Sequence, residues 1–261
     1  MSAARAPIRS GWQNQSMQIT SGVHRLGNGL VNSYLVEEAG LVTIVDAGMP
    51  GNWSDLLAEL ASMGRTLDDV RAVVLTHGHS DHIGYAERAR TERGLPVSVH
   101  ELDAALARGE VKNPARGGGP VGIAVLRFFW YGLTHGGLKS VHVGEVSTFG
   151  DGVVLDVPGA PRVIHLPGHT PGSAALHVEA RDVLLVGDAL STVAVTNGST
   201  GPMIAPYTAD PAAAIAALDR LDGIEAGWVL PGHGQPWTGG VAEAVRRIRA
   251  AGPEGMGRPA A

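Results

Sequence analysis

Residues 76–82 read THGHSDH: Thr76, His77, Gly78, His79, Ser80, Asp81 and His82, directly after the apolar run AVVL at 72–75. His77 and His79 alternate with small residues, so in an extended loop both imidazoles point to one side. Asp81 and His82 follow where the chain is expected to enter a helix, a place where the helix dipole favours a carboxylate. A strand that runs straight into three histidines and an aspartate is what a metal site on a rigid scaffold requires.

Three later turns repeat the placement. Val163-Ile164-His165-Leu166 leads into PGHTPG with His169, Leu184-Leu185-Val186 into GDA with Asp188, and Trp228-Val229-Leu230 into PGHG with His233. Side chains at the ends of strands from one sheet edge can converge on a point. The pooled set is His77, His79, Asp81, His82, His169, Asp188 and His233, nitrogen and oxygen donors suited to Zn2+ and also to Fe or Mn. Seven ligands exceed what one tetrahedral zinc uses, and the chain has no cysteine to add a thiolate or a disulfide.

Around these loops the pattern alternates. Strands are expected at 23–26, 32–36, 41–46, 70–75 and 96–100, with helices at 53–63, 84–93 and 101–108. The loop KNPARGGGP (112–120) precedes VGIAVLRFFWYGL (121–133), whose nearly continuous apolar residues predict a helix that buries most of its surface. Strands return at 153–157, 162–166, 174–178, 183–186 and 227–230, with helices at 211–221 and from about 241. Two β-rich halves with helices outside predict an α+β sandwich, and no linker divides them, so 1–261 is expected to be a single domain. The Gly- and Pro-rich tail 252–261 is expected to fray.

Composition narrows the function. Of the 261 residues 44% are hydrophobic and 17% charged, as in ordinary globular proteins, and the net charge of -5 comes without a dense basic block. Arg246, Arg247 and Arg249 read as a solvated helix face. Nucleic acid is therefore not an expected partner. The N-terminus MSAARAPIRSGWQNQ has no apolar core, and no segment nears the roughly 18 apolar residues that cross a bilayer. The expectation is a cytoplasmic protein with no membrane partner, acting on a small molecule, with a homodimer left open.

On these motifs the chain resembles the metallo-β-lactamase superfamily over about residues 23–237. THGHSDH is similar to the family's HxHxDH signature, and His169, Asp188 and His233 match its later ligand positions in order. The resemblance implies a four-layer αββα sandwich with two Zn2+ ions at one edge between the sheets. It implies that His77, His79 and His169 hold one ion, that Asp81, His82 and His233 hold the other, and that Asp188 bridges them. Asp46, in VDAG, matches an aspartate that orients a ligating imidazole from behind. A water between two cations loses a proton at about pH 7 and becomes the nucleophile, with Asp188 and Asp81 as the catalytic carboxylates and Asp81 able to relay a proton.

The resemblance also sorts substrates. β-Lactamases proper usually carry Cys or Ser where this chain has Asp188, so β-lactams rank as a secondary substrate at most. Flavin-linked di-iron members typically have Glu where this chain has His79. Glyoxalase II is similar in its ligands, but 189–201 here lacks the Lys or Arg that would hold glutathione. Lactonases share the HTPG turn at 169–172 and place a tyrosine where Ser191 stands, with Tyr207 the nearest substitute. The insertion 110–140, with Phe128, Phe129 and Trp130, is read as either a cap over the site or plain helix packing. As a cap it makes an apolar wall suited to a neutral, hydrophobic ester, lactone or thioester. A phosphodiester or phosphotriester hydrolase and a mononuclear-iron, persulfide-dioxygenase-like enzyme are the alternatives.

Overall fold

The structure is a computed structural model that describes residues 17–114, 117, 121–139 and 141–258. The N-terminal stretch, residues 115–116 and 118–120 of the breaker-rich loop, Ser140 and 259–261 of the tail lie outside the described residues. The first sheet is built from β1 (Met17–Thr20), β2 (Val23–Gly27), β3 (Asn32–Glu38), β4 (Leu41–Val45), β5 (Val70–Val74), β6 (Val97–His100) and β7 (Ser147–Phe149), in that spatial order. The second comes from β8 (Arg162–His165), β9 (Ala174–Val178), β10 (Val183–Gly187) and, past a short hairpin of β11 (Ser191–Val193) and β12 (Thr200–Met203), β13 (Trp228–Pro231). Its spatial order is β13-β10-β9-β8.

Alternation along each strand decides which layer a side chain joins. Tyr34, Val36, Val45 and Val74 point inward and meet Val163, Leu176, Leu185 and Leu230 of the second sheet in the inter-sheet core. Their neighbours Leu35, Ile44 and Val73 point outward, against α1 (Trp53–Ser62) and α2 (Ala86–Arg93) through Leu56, Leu60, Ala86 and Ala89. On the far side Ile164, Leu184 and Val229 pack under α5 (Pro211–Ala217) and α6 (Val241–Ala251) through Ala214, Val245 and Ile248. These are the four layers of the αββα sandwich, because each strand buries both faces.

Four expectations need correction. Residues 153–157 form no strand beyond an isolated bridge from Val154 to Arg162; the chain turns back on itself there, with Val157 N–H donating to Leu155 O (2.9 Å), which ends the pairing. Asp81 and His82 lie in a turn ahead of α2, which begins at Ala86. Residues 252–258, expected as a loose tail, are packed against the fold: they form a 3-10 turn at Pro253–Gly255, and Gly257 N–H donates to Ile204 O (3.1 Å). The apolar helix α4 (Ala124–Thr134) buries only Tyr131, while Ile123, Leu126, Phe129 and Trp130 stay exposed. Among the described residues no helix is long and apolar enough to cross a membrane.

Candidate metal centre

Parallel pairing brings the motif loops to one edge. Val45 pairs with Val74 across β4 and β5, and Gly187 with Pro231 across β10 and β13. Parallel strands that end together release their loops side by side, Asp46 beside Thr76 and Asp188 beside Gly232. The two sheets are then tied at this edge by Ala174 N–H donating to Thr76 O (2.9 Å). Gly187, at φ +50°, lies so close that a Cβ there would be 2.1 Å from Thr76 Oγ1. Only glycine permits that approach.

The loops bring all seven candidate ligands together. His77, His79 and His169 form one group and Asp81, His82 and His233 another, each with its donor atoms within 4.8 Å of one another. Asp188 lies between them: Oδ2 is 3.0 Å from His233 Nε2 and 3.4 Å from His169 Nε2, and Oδ1 is 3.5 Å from His82 Nε2. Six of the seven are buried, and Asp81 is half-buried at the mouth.

Every imidazole is held from behind through one ring nitrogen. His77 Nδ1 meets Thr76 Oγ1 (3.1 Å), His79 Nε2 meets Asn113 Oδ1 (2.8 Å), and His82 Nδ1 meets Asp46 Oδ2 (2.9 Å). His169 Nδ1 meets Thr208 Oγ1 (3.2 Å), and His233 Nδ1 is held by the carbonyl of Leu30. The remaining nitrogens face the interior of the cluster. Asp46, His77 and His82 also satisfy the 4.8 Å distance, but Asp46 occupies the outer nitrogen of His82 and accepts from Thr76 N (2.7 Å), which makes it a brace. Inside the cluster, His77 Nε2, His82 Nε2 and Asp188 Oδ1 are buried without a hydrogen-bond partner among the described residues. Buried polar atoms are costly when unpaired, and a convergent set of unpaired nitrogen and oxygen donors fits a metal ion.

The sequence profile of the metallo-β-lactamase superfamily matches residues 26–233, most of the chain. The chain belongs to the metallo-β-lactamase superfamily. Over 252 residues it is 30% identical to "Probable metallo-hydrolase YflN" of Bacillus subtilis (strain 168), an alignment that covers 92% of this chain and 94% of that protein. Among solved structures, the metallo-β-lactamase family protein TTHA1429 from Thermus thermophilus is 29% identical with a TM-score of 0.62, covering 88% of this chain and 78% of that one. TTHA1623, solved in a di-iron-bound form, is 28% identical with a TM-score of 0.57, covering 86% and 96%. The chain is therefore a metallo-hydrolase of this superfamily, and its clustered His and Asp side chains indicate a metal cofactor.

Electrostatics divide this superfamily site into unlike halves. Burial, reinforced by the neighbouring imidazoles, lowers His77 well below the usual histidine range and takes His169 down to about 3; burial also lowers His79. These three offer lone pairs at neutral pH. Burial would lower His82 and His233 too, but facing carboxylates overcome it. Asp188, Asp81 and Asp46 raise His82 well above its usual value, and Asp188 and Asp81 raise His233 to about 10. Burial alone would raise Asp188 and Asp81, but the same histidines, His233 and His82, hold both carboxyls below the usual range.

A cavity of about 390 Å³ opens onto the metallo-β-lactamase-type cluster, lined by His79, Asp81, His169, Asp188 and His233 at its floor and by α4 on one wall. Phe128 and Phe129 line it, and the Phe128 ring stands edge-on to His233 at 5.7 Å. Tyr207 also lines it, at φ 64°, a left-handed conformation a tyrosine rarely adopts. Trp130 does not. It is 65% exposed on the opposite side of α4, away from the face that carries Phe128, and borders a shallow surface depression with Leu126 and Leu30. Three hydrogen bonds anchor α4 and its flanks: Asn52 Nδ2 donates to the Tyr131 hydroxyl (2.7 Å), Gly51 N–H to His135 O (2.9 Å) and Gly122 N–H to Thr196 O (2.8 Å).

Sequence reasoning missed Asn113, Thr208 and the Leu30 carbonyl. Asn113 sits in a breaker-rich loop and Thr208 directly after Tyr207, with no motif around either. Each acts across a separation of 34 residues or more, which no local pattern records.

Proposed function

We propose that the protein hydrolyses a neutral, hydrophobic ester, lactone or thioester, using two metal ions held by His77, His79 and His169 and by Asp81, His82 and His233, with Asp188 shared. The observation that carries this reading is the set of five imidazoles braced through one nitrogen each and turned inward with the other. Zn2+ suits these donors; Fe is the second choice, favoured by the di-iron form of TTHA1623.

Two such ions would supply Lewis acidity toward the substrate and, from water, a nucleophile at neutral pH. The side chains supply the rest. Asp46, Thr76, Asn113 and Thr208 fix the imidazole orientations, so little reorganisation accompanies the reaction. Asp81, an ionised carboxylate at the mouth 3.4 Å from His233 Nε2, is placed to take the proton that the attacking water gives up and pass it to the leaving group. Phe128, Phe129, Met49, Val125 and Leu133 seat an apolar group and exclude water, and Tyr207 offers a hydroxyl to the carbonyl oxygen. No Lys or Arg lines the cavity among the described residues, which disfavours anionic substrates such as phosphoesters.

The test is a panel of lactones, acyl esters, thioesters, β-lactams and phosphoesters run on metal-quantified protein. The reading expects the highest kcat/KM on a neutral acyl substrate with an apolar chain, and it fails if bis-p-nitrophenyl phosphate is hydrolysed far faster. A protein that holds one iron and consumes oxygen would be a different enzyme.

A further inference from the structure

One buried carboxylate near the centre touches none of the seven candidate ligands. Asp103 follows β6, in the turn that leads to the short helix α3 (Ala104–Ala107), and is 0% exposed. Oδ2 accepts from Gly78 N (2.9 Å) and from Thr170 Oγ1 (2.7 Å), and Oδ1 accepts from Gly172 N (2.7 Å). Gly78 lies between His77 and His79, while Thr170 and Gly172 follow His169. All three partners therefore lie beside His77, His79 and His169, while Asp81 and His82 of the other group stand farther along the 76–82 loop. Neither oxygen is bonded to Asp81, His82 or His233.

The packing is tight on the same side. A Cβ on Gly172 would stand 2.6 Å from Asp103 N and 2.7 Å from Asp103 Oδ1, so the 167–172 loop rests its backbone directly on this residue. Thr170 Oγ1 also meets Ser173 Oγ (2.8 Å), and Ser173 Oγ accepts from Thr170 N (3.0 Å), which stiffens the turn after His169. The two loops come from different sheets, so a single anion with three donors fixes the distance between His77 and His79 on one side and His169 on the other. Charge-assisted hydrogen bonds are the strong ones, and a buried carboxylate accepting three of them makes a rigid joint.

We propose that Asp103 is the positioning residue of the His77, His79 and His169 group: by stapling the 76–82 loop to the 167–172 loop it sets the spacing of these three imidazoles and hence the affinity of the metal they hold. Asp46 is its counterpart in the other group, through His82. This rests on the reading that each group holds an ion.

The test measures Zn2+ affinity by chelator competition on backgrounds that leave one group intact. Asp103→Asn on His233→Ala should weaken Zn2+ by roughly 10- to 100-fold, the range for residues that orient metal ligands. The same change on His169→Ala should alter the remaining site by less than about threefold. Thr170→Val, which removes one of the three donors and keeps the shape, should weaken the first site by a smaller factor with the fold intact by circular dichroism. That variant decides the matter where Asp103→Asn does not fold. Equal losses on both backgrounds, or none on either, overturn the role of Asp103. Absence of Zn2+ binding in the unaltered protein instead overturns the two-ion reading itself.

Discussion

The floor of the cavity and its α4 wall are built on opposite rules. On the floor, buried side chains are held by hydrogen bonds from named partners: Asp46 behind His82, Thr76 behind His77, Thr208 behind His169. On the wall, Phe129 and Leu133 are exposed apolar groups, and one buried side chain, Tyr131, anchors the helix. Under the proposed function the difference separates chemistry from selection. Chemistry needs donor atoms fixed to fractions of an ångström, whereas seating an apolar group needs area and tolerates displacement.

The sharpest way to break this contrast is His79→Ala, which removes an inward nitrogen from the first group. Activity is expected to vanish and one metal equivalent to be lost; full activity would refute the assignment. Asp46→Asn is the next step down. It weakens the brace on His82 without touching the cavity, so metal affinity should fall by roughly 10- to 100-fold while KM on metal-saturated enzyme stays put. Unchanged affinity would mean that the outer nitrogens do not matter.

Acid should act on the floor alone. His82 and His233 carry raised pKa values, His233 to about 10, so they hold protons at neutral pH that a metal must displace. Affinity should therefore climb by about tenfold per pH unit for each displaced proton between about pH 7 and 9, and levelling is expected once both histidines have lost their protons. His169, lowered to about 3, is already neutral throughout and contributes nothing to the slope. Titration calorimetry in buffers of different ionisation enthalpy reads the released protons, and a pH-independent affinity would contradict the charge assignment.

The wall responds least. Phe128→Ala should raise KM for apolar substrates by roughly tenfold with little change in kcat, the signature of lost uniform binding. Trp130→Ala, on the outer side of the same helix, should change neither, and should shift stability by no more than about 0.5 kcal/mol. A larger effect from Trp130 than from Phe128 would reverse the orientation of α4.

What the sequence makes legible follows the same division. The four motif loops are readable because each sits at the end of an apolar strand, and the parallel register of β4 with β5 and of β10 with β13 converts that placement into convergence. The bracing shell is not readable. Asp103 and Thr170 are 67 residues apart, and only the meeting of two sheets makes them partners. The apolar run at 121–133 misleads because it predicts burial from composition, whereas only Tyr131 faces the core and its neighbours border a cavity or solvent. The hairpin of β11 and β12 is missed for its brevity, and 153–157 is strand-like in residues but turns back on itself at Val157 after one bridge.

The most direct test of the two-group centre is metal stoichiometry under saturating Zn2+ followed by dialysis, for the unaltered protein, His169→Ala and His233→Ala. Two cooperating groups predict two equivalents per chain in the first and one in each variant. A single equivalent in the unaltered protein, lost in both variants alike, would mean that the seven residues form one site and that the division into two groups is wrong.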